Sequence, residues 1–243
     1  MSKITLIRHG QASFGAKNYD LLSDIGRQQA SALGEYFLEH NIEFDKIIHG
    51  EMSRQTETAQ IMAKACGFSD ELILNPGVNE FNSDHLLSYY LPKLAEASNQ
   101  YHQIINAKQA WFNQQENFEL IFRELINIWQ QDANCPFESW NSFKQRILVM
   151  LNQIKSDHDS DQRIALVTSG GLISVTMQSI LGFDNQTFMD MNLTINNASV
   201  TEIIIQPLTE NTDYKQKIEA KLLSFNNITP LLIKKQKHLI TRK

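Results

Sequence analysis

This chain has little cysteine, no long apolar run and no surplus of positive charge, and each shortage closes off a class of protein. Its two cysteines, Cys66 and Cys135, lack the spacing of metal ligands. Neither a disulfide framework nor a zinc site is expected, and a reduced compartment is. No stretch approaches the ~18 continuous apolar residues of a membrane-spanning helix, and the N-terminus shows no basic, apolar, small-residue export pattern. The expectation is a cytoplasmic protein with no membrane partner. Lys and Arg number 22 against 27 Asp and Glu, a net charge of -5, so the electrostatic footprint of a nucleic-acid or anionic-membrane binder is missing. Any anion this protein binds must be held locally. Internal repeats and low-complexity segments are also absent, although Gln and Asn are frequent between 99 and 131.

What is present suits one domain. With 243 residues, 42% of them hydrophobic, the chain can bury one good core, and a single domain over 1–243 with an insertion is expected. Ile4 to Ile7 is an apolar run too short for a helix and is followed by a glycine turn, which marks a central strand. Arg8 and His9 stand at its carboxyl end. Ser23 can cap a helix whose Ala30, Leu33, Gly34 and Phe37 share a face. "KIIHG" at 46–50 reads as a second strand, followed by a helix with Ala59, Met62, Ala63 and Cys66 on one stripe. Ile164 to Val167 is a further strand, entering a helix through Gly170 and Gly171 and ending near Gly182. "ASVTEIIIQ" and "KIEAKLLSFN" read as two more. Strands alternating with helices predict an α/β fold: a mostly parallel sheet with helices on both faces, and ligands at the carboxyl ends of its strands.

Between about 81 and 138 the pattern changes to a helical cap insertion. Phe118, Ile121, Phe122, Leu125, Ile128 and Trp129 hold helical spacing. The stripe is read as a packed face, with the lining of a substrate pocket as the alternative. Phe143, Ile147, Met150, Leu151 and Ile154 mark the helix that returns to the sheet.

Two adjacent cations ending a buried strand are costly unless a negative group pairs with them. Phosphate fits: arginine offers a planar fork to its oxygens, Gly10 lets backbone approach closely, and a neutral imidazole has a lone pair that can attack phosphorus. Arg54 falls at the start of the helix after the second strand, where free N–H groups already favour an anion.

These residues, with the stretch "RHGQASFGAKNYDLLSDIGRQQA", Thr58-Ala59, Glu80, the Gly170-Gly171 turn and Asn197 to Thr201, resemble the histidine phosphatase superfamily, whose founders are the cofactor-dependent phosphoglycerate mutases. The resemblance covers most of the chain. It implies two-step phosphoryl transfer through a phosphohistidine, without a metal or other cofactor. By that resemblance His9 is the nucleophile and Glu80 the acid, with Asp84 close by as the alternative. Arg8, Arg54, Gln11, Ser169 and Gly170 are the substrate-binding residues, and the Gly170 and Gly171 amides form an anion cradle. The implied partner is a small phosphorylated substrate or a phosphoprotein.

Three positions depart from the family pattern. Ser169 stands where a second histidine usually precedes Gly-Gly, Gly50 where Ser or Thr is common, and Gly15 where many members have Asn. His49 and His85, expected at the surface, are the histidines that could fill the gap. Three readings remain: a phosphatase tolerant of Ser169, a degenerate member that binds phosphorylated ligands or a partner without turnover, and a mutase. Residues 81–140 hold three cations against seven carboxylates, which argues for hydrolysis, because a mutase must hold a substrate with two anionic ends.

Overall fold

The computed structural model describes residues 2–13, 20–107, 110–156, 161–205, 218–233 and 237–242. Six strands form one sheet in the order β3-β2-β4-β1-β5-β6, comprising β1 (Ser2–Arg8), β2 (Lys46–His49), β3 (Ile73–Leu74), β4 (Arg163–Thr168), β5 (Val200–Ile205) and β6 (Ala220–Asn227). The pairs β1–β4, β2–β4 and β2–β3 are parallel, whereas β5 runs antiparallel to both β1 and β6. Among the described strands only β5 is reversed, so the sheet is mostly parallel, as its sequence pattern predicts. The two-residue edge strand β3 has both side chains exposed and no apolar alternation from which it could be foreseen.

Successive strand residues point to opposite faces, and the two faces carry separate cores. Ile4, Leu6, Ile164 and Leu166 face the larger one, while Ile7, Ala165 and Val167 face the smaller. The smaller core is closed by α1 (Asp24–Glu39) and α2 (Ser53–Cys66), through Leu33, Phe37, Ala59 and Met62. Ser23 caps α1 by accepting the Gly26 N–H at 3.0 Å. The larger core packs α6 (Trp140–Ser156), α7 (Gly170–Leu181) and α8 (Asn185–Thr194) together with the helices of the 81–138 stretch. Those helices are α3 (Ser83–Ala97), α4 (Asn99–Ile105) and α5 (Gln115–Gln131).

The stripe on α5 divides. Ile121, Leu125 and Trp129 are buried in the larger core, as a packed face requires. Phe118 and Phe122 are half-buried, pack against the same core and also line a cavity. For these two the packed-face reading and its alternative both hold: the helix lies along the cavity wall, so rings that pack on the core also face the cavity.

Candidate active site

Parallel pairing sets the carboxyl ends of β1 and β4 side by side, with Arg8 in register with Thr168. Because β5 is reversed, it begins where β1 ends, with Ile7 opposite Val200. The residues leaving β1 and β4 and those entering β5 therefore meet at one edge of the sheet. A cavity of about 560 Å³ opens there, and Arg8, His9, Gln11, Arg54, Glu80, Ser169 and Gly170 all line it. The expected nucleophile, the expected acid and the five expected substrate-binding residues are thus all on its wall.

His9 is buried, and its backbone N–H is donated to Thr168 O at 2.8 Å. Its ring Nδ1 lies 2.7 Å from Gly10 O. A carbonyl can only accept, so Nδ1 carries the hydrogen and Nε2 the lone pair. Arg54 Nε, which can only donate, lies 3.1 Å from Nε2 and agrees with that tautomer. Burial, then the charges of Arg54 and Arg8, hold the imidazole well below the usual histidine range, against the opposing pull of the Gly10 carbonyl. At neutral pH His9 is an uncharged ring with its lone pair at the cavity.

Arg54, on the first turn of α2, is buried and fixed from behind by Asp20, whose Oδ1 accepts from Nη1 at 2.6 Å. Asp20 Oδ2 also accepts the Ser53 N–H at 2.7 Å, tying the clamp to the start of the helix. Arg8 donates Nη1 to Ile195 O. Gln11 has its Oε1 held by Ser23 Oγ at 2.8 Å, which leaves the amide Nε2 as its donor. Gly10 serves a different purpose from the one expected. A Cβ there would sit 2.4 Å from Gly26 O, so the glycine admits the first turn of α1 rather than a ligand.

Glu80 reaches across to α7. Its Oε2 accepts the Gly171 N–H at 2.7 Å and its Oε1 accepts the Phe81 N–H at 3.1 Å. Desolvation raises its pKa above the ordinary carboxylate range, outweighing those two amides and the positive charges of Arg54 and Arg8. The expected cradle of two glycine amides is therefore corrected: Glu80 occupies the Gly171 amide, and Gly170 alone remains on the cavity wall. The turn bearing Glu80 is pinned by two further residues. Thr168 Oγ1 donates to Val78 O at 2.7 Å, and Arg146 Nη1 donates to Gly77 O at 3.0 Å and Asn79 O at 2.9 Å. Asp84 lies in the first turn of α3, which Asn82 caps, and is exposed away from the cavity lining.

Ser169 is buried, and its Oγ accepts from Gln55 Nε2 at 2.9 Å. Neither histidine proposed for the gap fills it. His49 is buried, a correction to its expected surface place, because its Nδ1 hydrogen-bonds Gly50 O at 2.8 Å. His85 is exposed beside Phe137. Neither lines the cavity. Gly15 lies outside the described residues. Asp20, Arg146 and Gln55 escaped the sequence reading because each acts through another residue, and a lone Asp, Arg or Gln carries no local signal.

A sheet of this order, with an arginine and a histidine leaving its central strand, has the phosphoglycerate mutase-like architecture. The chain belongs to the histidine phosphatase superfamily (branch 1), whose sequence profile matches residues 4–121 and 107–213. It is similar to the serine/threonine-protein phosphatase Pgam5, mitochondrial, of Drosophila yakuba, at 36% identity over 74 residues, which are 30% of this chain and 26% of that protein. The matched stretch thus spans about a quarter of the fly protein's length. A probable phosphoglycerate mutase GpmB of Erwinia tasmaniensis is 23% identical over 210 residues, 84% of this chain and 85% of that one. Among solved structures, a phosphoserine phosphatase mutant of Entamoeba histolytica with phosphoserine superposes at a TM-score of 0.59 and 18% identity, covering 96% of this chain and 100% of that chain. No described helix is long and apolar enough to cross a membrane.

Proposed function

We propose that this chain is a metal-independent phosphatase that hydrolyses a small phosphomonoester through a phosphohistidine on His9. The observation that carries the reading is the His9 ring itself, neutral, with Nδ1 tied to Gly10 O and Nε2 bearing the lone pair beside Arg54. In the first step the Nε2 lone pair attacks phosphorus and the N–P bond forms. The bond from phosphorus to the leaving oxygen breaks, and that oxygen takes the proton held by Glu80. In the second step Glu80 accepts a proton from water, the water oxygen attacks phosphorus, and the N–P bond breaks to release phosphate and restore neutral His9. Arg8 and Arg54 offset the charge on the phosphoryl oxygens, with Gln11, Ser169 and the Gly170 amide as neutral donors. The raised pKa of Glu80 suits an acid that must hold a proton near neutrality.

Hydrolysis is preferred to mutase chemistry because, among the described residues, the helical stretch contributes Gln115 and Glu119 to the cavity and no cation. The size of the cavity favours a small molecule over a phosphoprotein. The test is turnover of 4-nitrophenyl phosphate in EDTA, wild type beside His9→Ala, with alkali-quenched enzyme examined for acid-labile, alkali-stable phosphate. Activity in EDTA, lost in His9→Ala and accompanied by such phosphoenzyme in wild type, is expected. Activity that chelation removes and a divalent ion restores would overturn the mechanism, and ligand binding without turnover would establish the degenerate-binder reading.

A further inference from the structure

The cavity rim is completed by the far end of the chain. Ile240, Thr241 and Arg242 line it, although nothing in their sequence marks them as site residues. Two fully buried side chains hold this tail in place. Gln29 on α1 donates Nε2 to Leu239 O at 2.6 Å and to Thr241 Oγ1 at 2.9 Å. Asn197 donates its backbone N–H to Thr241 O at 2.9 Å, and its Oδ1 accepts from Thr241 Oγ1 at 2.8 Å. Gln29 also fixes the loop after His9, since its Oε1 accepts the Gln11 N–H at 2.7 Å. The tail and the nucleophile loop therefore share one buried support, which registers Arg242 to His9.

The side chain of Arg242 is exposed, and its hydrogen-bond partner among the described residues is Asn196 Oδ1, at a long 3.5 Å. A guanidinium with five donors and one long contact keeps most of its donor capacity for a ligand. Among the described residues lining the cavity the other cations are Arg8 and Arg54, both assigned above to the phosphoryl group. Away from that group the wall is acidic or neutral: Glu119, Gln115, Asn192 and Ser83, with Phe118 and Phe122 between.

We infer that Arg242 is a specificity-determining subsite for a second anionic group on the substrate, a carboxylate or a second phosphate carried by the part that extends from the phosphoryl group toward the mouth. The inference rests on the phosphatase reading for its place in the reaction. One rim cation can recognise a second anion without making a second phosphoryl-holding pair, so the preference for hydrolysis stands.

The test uses matched pairs that differ in the second anion alone: phosphoglycolate against 2-hydroxyethyl phosphate, 4-carboxyphenyl phosphate against 4-(hydroxymethyl)phenyl phosphate, and propane-1,3-diol bisphosphate against 3-hydroxypropyl phosphate. Wild type should favour the member that carries the second anionic group in at least one pair by about 10-fold in kcat/KM at low salt, the low end for a charge-assisted contact because the site is exposed, and the preference should shrink as salt rises. Whichever pair responds separates carboxylate from phosphate as the recognised group. Arg242→Ala should erase the preference, chiefly through KM, and leave the members without the second anionic group within about 2-fold. Arg242→Lys should restore part of it. Titration calorimetry of the same pairs on His9→Ala, with and without Arg242→Ala, reads the subsite without turnover, so failure of the phosphatase reading and failure of this one are distinguishable. No preference in wild type, a preference that survives Arg242→Ala, or equal losses on both members of every pair would overturn the inference.

Discussion

Replacing Ser169 by alanine should cost clearly less kcat/KM than replacing Arg54, even though Ser169 stands where the family resemblance read from the sequence implies a second histidine. Arg54 is buried, with Nε 3.1 Å from His9 Nε2 and Nη1 2.6 Å from Asp20 Oδ1. Its charge is aimed at the nucleophile and kept there by a carboxylate. Removing one preorganised donor from a site of this kind costs ~10²–10³ in rate, and charge-assisted donors are roughly twice as strong as neutral ones. Arg54→Ala therefore belongs at or beyond ~10³ and Ser169→Ala at or below ~10², a gap of at least ~1.4 kcal/mol in transition-state stabilisation.

The structure adds a third variant to this comparison. Ser169 Oγ accepts from Gln55 Nε2 at 2.9 Å, so the hydroxyl proton is not engaged with Gln55 and can be donated into the cavity. Gln55 is fully buried and does not line the cavity. Gln55→Ala releases the hydroxyl rotor without removing it, so its loss should not exceed that of Ser169→Ala. The double variant should be no worse than Ser169→Ala alone, as expected when one residue acts only through another. The assay is steady-state kcat/KM on 4-nitrophenyl phosphate, with each variant shown to be folded by circular dichroism. Equal losses in Arg54→Ala and Ser169→Ala, or losses that multiply in the double variant, would refute this account of the pocket.

The pH profile should be a bell. Below the depressed His9 pKa the nucleophile is protonated and activity falls, and above the raised Glu80 pKa the acid is ionised and activity falls again. Glu80→Gln should lose the alkaline limb and suffer more on alkyl than on 4-nitrophenyl phosphates, and an unchanged alkaline limb in kcat/KM would count against Glu80. Gly50→Ser should lose ~1–3 kcal/mol of stability by overpacking, since a Cβ at Gly50 falls 2.0 Å from Gln55 Oε1 and 2.5 Å from Asn79 Oδ1. Urea unfolding with and without Gln55→Ala checks this, and an unchanged midpoint for Gly50→Ser would exclude the clash.

How far the sequence could be read follows from how local each signal is. The run into Arg8-His9, the Ser23 cap and the helical stripe of α5 are local patterns, and each corresponds to an observed element or cap. The choice between Glu80 and Asp84 was open in the sequence because both carboxyls follow the same short turn. The Asn82 cap separates them: α3 starts at Ser83 and carries Asp84 outward, whereas Glu80 is still in the turn that Thr168 and Arg146 fasten against the sheet. Those fastenings span 90 and 67 residues, and no periodicity reports contacts of that range. The same holds for Asp20 behind Arg54 and for Gln29 beneath Thr241. Phe118 and Phe122 could not be told from Ile121 and Leu125, because hydrophobic spacing reports which face is apolar and not whether protein or a cavity lies against it.

The departures at Gly50 and Ser169, read from the sequence as separate losses, are joined in the structure by Gln55. With no side chain at Gly50, the Gln55 carboxamide can lie against its Cα, and from there Nε2 reaches Ser169. Gln55 Oε1 is buried without a hydrogen-bond partner among the described residues, a cost of ~1–3 kcal/mol for a neutral acceptor. The Gln55 bond fixes Ser169 in place despite that cost. A larger side chain at 169 would have to displace the carboxamide now bonded to its Oγ. Placing histidine at 169 therefore calls for a smaller residue at 55 in the same chain, and the two changes should be strongly non-additive in both stability and turnover.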